Sequence, residues 1–250
     1  MMNLFNMCIH VLAKPDAIQM HLNELAVIPL NIKTSVFKIL SKRGYINNLQ
    51  LLKNLVNPQI KDIDLSECEV CDDFLYCLFE CRYLQILDLS LRRKQKRHIS
   101  AKVLTSLFTH LPYLRVIAIP HCKEVTDDVI ESICKTCTLL VELHIPNSSI
   151  TDFSMQLMGL CLKYLCVINI LGTQITDLGV EHFVKGDLRK CLTEVNIDKC
   201  PNVTLHSSQV IEQNCPNIRI FTCGGFHEFE DSGLTMNKIR SKAKQVFWSI

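Results

Sequence analysis

An apolar triplet at positions i, i+3 and i+5 recurs along the chain at nearly constant spacing, and no other feature limits the fold so tightly. It reads Ile60, Ile63, Leu65; Leu84, Leu87, Leu89; Leu114, Ile117, Ile119; Leu140, Leu143, Ile145; Leu165, Ile168, Ile170; Leu192, Val195, Ile197; Ile218, Phe221, Cys223; and, more weakly, Ala243, Val246, Trp248. Successive first residues lie 24, 30, 26, 25, 27, 26 and 25 positions apart. A second signal recurs in step with it: Val70-Cys71-Asp72, Val125-Thr126-Asp127, Ile150-Thr151-Asp152 and Ile175-Thr176-Asp177. Thr and Asp accept hydrogen bonds from the free N–H groups of a helix start, and a carboxylate suits the helix dipole there. Apolar residues then follow at helical spacing, as in Leu75 and Leu78, Ile130 and Ile133, Met155 and Met158, Val180 and Phe183. Each unit is therefore strand, turn, helix, turn.

One such unit cannot bury its apolar face, so neighbours must stack into a solenoid with a continuous core. Periods of about 20–29 residues are those of leucine-rich repeats, and the 30-residue step carries an insertion. The fold class is α/β: a curved parallel sheet on the concave side, helices on the convex side, and a helical cap at the N-terminal end. Residues 1–59 form that cap and a half-repeat, 60–242 the repeats, and 243–250 a closing strand. A cap at each end implies a monomer.

The charge balance narrows the function. With 27 Lys+Arg against 25 Asp+Glu the 250-residue chain has a formal charge of +2, which supplies no general field for nucleic acid or an anionic membrane. No run of about 18 apolar residues occurs, so a spanning helix is not expected. The apolar stretch from Leu4 to Ala13 lacks a basic flank and a cleavage site, which places the protein in the cytoplasm with the nucleus also open. The run Arg92-Arg93-Lys94-Gln95-Lys96-Arg97-His98 fills the long unit and reads as a solvated insertion, a nuclear-import signal or a contact for an acidic partner.

Fourteen cysteines need an explanation in a reducing compartment. Cys68, Cys122 and Cys200 lie eight residues after their strand anchors, and Cys81, Cys137 and Cys215 three before the next. Those positions point at the core, where a small weakly polar thiol fits. Two C-x-x-C pairs, Cys68–Cys71 and Cys134–Cys137, fall in different phases of the repeat, so a shared zinc site is not expected. No cofactor, metal or nucleophile motif is present, and His144 beside Glu142 lacks a catalytic partner. The double glycine Gly224-Gly225 reads as a tight turn.

Strand side chains alternate, so residues at i+2, i+4 and i+6 face the concave side. Asp62, Asp64, Ile86, Asp88, Val116, Ala118, Glu142, His144, Val167, Asn169, Leu171, Glu194 and Asn196 are the candidate partner-binding residues. Apolar residues clustered where solvent favours polar ones mark a site for a protein client, with Asp62, Asp64 and Asp88 as an acidic rim.

Cysteine at the eighth position with a Thr-Asp helix start resembles the cysteine-containing repeats of F-box and leucine-rich-repeat ubiquitin-ligase adaptors. Over nearly the whole chain, Asn31-Ile32-Lys33, residues 38–41, the half-repeat from Gly44 and the ending Gln245-Val246-Phe247-Trp248 resemble the antagonist of mitotic exit network homolog family. The resemblance implies a non-enzymatic interaction protein of cell-cycle control. It would present substrates to a Skp-Cullin-F-box ligase in ubiquitin-dependent protein catabolism, or sequester a signalling protein such as a mitotic-exit GTPase. Pro29, Ile32, Val36, Phe37 and Leu40 have the spacing of the first half of an F-box, which docks to Skp. The same spacing serves equally as the inward face of a capping helix.

Overall fold

The computed structural model describes residues 22, 24–90 and 98–223. Seven strands form one parallel sheet in chain order: β1 (Asp62–Asp64), β2 (Ile86–Asp88), β3 (Val116–Ala118), β4 (Glu142–His144), β5 (Val167–Asn169), β6 (Glu194–Asn196) and β7 (Ile220–Thr222). Their register follows the sequence repeat: Ile63 pairs with Leu87, Ile117 with Leu143, and Ile168 with Val195. All six of these side chains are buried, because the i+3 residue of each strand points between the sheet and the helices. The leucine-rich-repeat fold is the one the triplets predict. The eighth triplet, the closing strand at 243–250, Gly224-Gly225, the basic residues 92–97 and residues 1–21 of the cap lie outside the described residues.

Between the strands run α3 (Asp72–Tyr76), α4 (Ala101–Phe108), α5 (Asp127–Thr136), α6 (Asp152–Cys161), α7 (Asp177–Phe183) and α8 (Leu205–Asn214). Their inward residues join the strand residues in one apolar cluster that runs unbroken from Leu25 to Cys215. Ahead of the sheet lie α1 (Leu30–Lys42) and α2 (Leu49–Leu55). A left-handed Gly44 (φ 69°) ends α1: its N–H donates to Ser41 O and that of Tyr45 to Leu40 O, the Schellman pattern that satisfies orphan carbonyls. The backbone of Glu67 leaves no room for a side chain there, since a Cβ on Gly44 would lie 2.7 Å from its carbonyl oxygen.

The α1 face resolves the two readings of its apolar spacing. Val36, Phe37 and Leu40 have no solvent exposure and form the first layer of the core, so they are not a docking surface for Skp. Ile32 is half-buried against the same cluster, and only Pro29 is exposed. An open repeat end leaves strand and half-repeat side chains in water, and α1 covers them. We expect Phe37→Ala to destabilise the protein by about 3–5 kcal/mol, read as a lower urea midpoint, because it removes an aromatic ring from a site that cannot collapse.

Candidate functional site

Buried cysteines in repeat register bond to backbone carbonyls of the core. Cys81 Sγ donates to Asn57 O (3.7 Å) and Cys137 Sγ to Leu111 O (3.4 Å), in each case the position equivalent to its own in the preceding repeat. Cys200 Sγ reaches Ile170 O (3.5 Å) and Cys68 Sγ reaches Ser41 O (3.7 Å). Burial pushes the thiols of Cys81 and Cys137 up to about 12 and that of Cys68 to about 11, which keeps them protonated donors. Among the described residues, no disulfide forms and no three His, Cys, Asp or Glu side chains converge as metal ligands do.

A second ladder runs along the helix starts. Asp127 accepts from Thr151 N (2.9 Å) and Thr151 Oγ1 (2.7 Å), Asp152 from Thr176 N (2.7 Å) and Oγ1 (2.6 Å), and Asp177 from Thr204 N (2.9 Å) and Oγ1 (2.6 Å). Each Thr hydroxyl, its proton given to the carboxylate, then accepts from the N–H two residues on: Phe153, Leu178 and His206. The Asp of one repeat thus clasps the cap of the next, where the sequence suggested only a cap for its own helix. The residue three after the Thr makes room. Ser154 and Ser207 also donate to the carboxylate, and Gly179 leaves space that a Cβ would take, 2.1 Å from Asp152 Oδ1. The signal for the clasp made through both N–H and hydroxyl is therefore Thr-x-x-Ser or Thr-x-x-Gly one repeat after an Asp, while Asp72 makes the backbone half of it, accepting from Ser100 N (2.7 Å). At the α4–α5 step Ala101 stands where the carboxylate would be and Val129 replaces the small residue; there Thr126 does not cap its helix.

On the concave face two rows cross the sheet. The i+4 row is Asp64, Asp88, Ala118, His144, Asn169, Asn196 and Thr222 in strand register. Most of it is turned back onto its own chain. Asp64 Oδ1 accepts from Ser66 N (3.0 Å), Asp88 Oδ1 from Ser90 N (2.8 Å), Asn169 Oδ1 from Leu171 N (3.2 Å) and Asn196 Oδ1 from Asp198 N (3.1 Å). These are Asx turns that bend the chain out of the strand. Asp88, Ala118 and His144 are buried, at 3%, 2% and 6% exposure, which corrects the expectation that they face a client. They are lateral neighbours about 4.8 Å apart in the sheet, where Asp88 folds onto its own turn, Ala118 is short, and His144 leans 3.5 Å from Glu142. The hydrogen bond from His144 holds the Glu142 carboxyl below its usual range, against partial burial that raises it.

The i+2 row stays open. It runs Asp62, Ile86, Val116, Glu142, Val167, Glu194, Ile220, so apolar and acidic side chains mix along one line with no cation among them. Ile86 is 38% exposed and the others are half-buried. Lys38 of α1 closes the N-terminal end of the row with a 3.0 Å ion pair to Asp62. Leu171 lies half-buried beside the row, and Ile220 continues it beyond the residues singled out from the sequence.

No family model matches the chain. Among solved structures it is similar to internalin C2 of Listeria monocytogenes, with 16% identity and a TM-score of 0.50 over 86% of this chain and 96% of that one. An internalin from the same organism overlaps 70% of this chain and 64% of its own at 14% identity and TM-score 0.35. The Rad7 and Elc1 complex of yeast overlaps 88% and 86% at 12% identity and TM-score 0.32. The first likeness is one of fold. No helix among the described residues is long and apolar enough to cross a membrane.

The Asp177 clasp carries a pH dependence. Partial burial raises the Asp177 carboxyl, but hydrogen bonds from Ser207 and Thr204 outweigh it and leave the group below its usual value. Its contribution to stability is complete above the unfolded value near 4 and is lost as pH falls through the depressed native value. We expect the urea midpoint to fall on acidification below about pH 4, and Asp177→Asn to lower it at pH 7 while flattening that acid slope. A second check concerns the thiols: iodoacetamide at pH 8 should alkylate exposed Cys161 in the native protein and reach Cys81 and Cys137 only in urea, as read by peptide mass spectrometry.

Proposed function

We propose that the protein is a non-enzymatic binding module that holds a protein client along the open concave row. The observation that carries this is the row itself. Ile86, Val116, Val167 and Ile220 have no core or turn role, yet stand partly exposed in register across the sheet, with Glu142 and Glu194 between them and Asp62 at the end of the row. Apolar surface ordered in this way is stabilised by a covering partner, and flanking carboxylates select one with cations beside its apolar groups.

Of the two modes implied by the sequence resemblance, a stand-alone inhibitor that sequesters a signalling protein is favoured by the burial of Val36, Phe37 and Leu40. In a Skp-Cullin-F-box adaptor, the Skp contact would fall to residues other than these three. The test is capture from cell extract by the intact chain and by Val116→Lys with Val167→Lys. Client recovery should fall about tenfold or more, as for loss of an interface anchor, with circular dichroism unchanged. Equal recovery by the folded variant removes the concave row as the site. Skp and cullin recovered together with the client support the adaptor; a client without them supports the inhibitor.

A further inference from the structure

Where each helix ends and the next strand begins, the turn residues at i−2, i−1 and i+1 of the repeat line one edge of the solenoid. Their composition is one-sided. Across the seven repeats these positions hold Lys61, Arg82, Arg115, Lys163, Lys190 and Arg219, all exposed, and no carboxylate. Only Lys190 of the six is ion-paired among the described residues, to Asp187. The i+1 residues are held in line by the sheet: Arg115 N donates to Gln85 O, whose own N–H donates to Lys61 O.

Apolar side chains fill the i−1 position in four successive repeats. Tyr83, Tyr113, Leu139 and Tyr164 are 55%, 47%, 44% and 46% exposed, although each lies next to a fully buried anchor. Tyr83 and Tyr113 stack with ring centroids 5.8 Å apart and planes 15° from parallel. Lys163 Nζ stands 5.1 Å over the ring of Tyr164. With strands about 4.8 Å apart, the line is roughly 14 Å long, the reach of about four extended residues. Tyr and Arg are the side chains that anchor interfaces most strongly, and this edge sets them side by side.

We propose that the edge formed by Arg82, Tyr83, Tyr113, Arg115, Lys163 and Tyr164 is a second docking surface, and that it takes an acidic protein segment carrying an apolar side chain. Charge complementarity decides the partner. A short acidic peptide meets cations on this edge alone. A nucleic acid would extend its phosphates over the neighbouring sheet face, where Asp62, Asp64, Glu142, Glu194 and Asp198 repel them. The surface is separate from the concave row and does not depend on a client there.

The test is selection of a random 12-residue displayed peptide library on the full-length chain, followed by affinity measurement on the recovered peptides. Peptides rich in Asp and Glu with Leu or an aromatic residue should be enriched, and their affinity should fall with added salt. Arg82→Glu with Arg115→Glu should weaken them about tenfold or more, as should Tyr83→Ala with Tyr113→Ala, while Tyr83→Phe with Tyr113→Phe keeps binding. Circular dichroism verifies each fold. The proposal is overturned if no acidic class is enriched, or if acidic peptides bind the charge-reversed protein as tightly as the native one. A 15-nucleotide oligothymidylate that outcompetes the selected peptides would overturn the class of partner.

Discussion

Every repeat in this chain has an apolar face that it cannot cover by itself, and the architecture follows from that single deficit. The neighbour on one side supplies the missing wall and in turn needs another, so order is passed along the stack until a cap stops it. At the N-terminal end the stop is α1, whose Val36, Phe37 and Leu40 are as dry as the central leucines. Apolar contact sets no direction or register of its own. Two polar ladders supply these: thiols that donate to the preceding repeat, and carboxylates that grip the helix cap of the following one.

The strands were legible because their signal is local and periodic. A triplet at i, i+3 and i+5 needs no knowledge of distant residues to say which side chains go inside, and Ile63, Leu87, Ile117 and Leu143 lie there. The cap was less legible for a physical reason. Pro29, Ile32, Val36, Phe37 and Leu40 mark an amphipathic face, but only the path of the chain after Gly44 decides whether it meets the core or a second protein. Alternation likewise placed Asp88 and Asn169 on the concave side without showing that an Asx side chain bends back to its own backbone. Asp or Asn at i+4 in four of the first six strands was the available sign, and it reads as turn chemistry rather than recognition.

The formal charge of +2 hides a strong internal separation. Carboxylates gather on the sheet face, in Asp62, Glu142 and Glu194, while Arg82, Arg115 and Lys163 stand on the edge where strands begin. Because a solenoid repeats each position at a fixed place on its surface, a small compositional bias at one repeat position becomes a stripe. The net charge correctly argues against a general polyanion receptor, yet it says nothing about stripes that cancel in the sum.

The step from α4 to α5 lacks its clasp, since Ala101 has no carboxylate to offer Thr126. A linear array of repeats behaves as a chain of nearest-neighbour couplings, and its cooperativity is set by the weakest of them. Here the step keeps its strand pairing and the hydrogen bond from Cys137 Sγ to Leu111 O but lacks the helix-cap clasp that each later step adds, next to the longest repeat. Backbone amides on the two sides of this seam should therefore exchange their hydrogens as two groups with different protection, the capped N-terminal block and the triply clasped block that follows it.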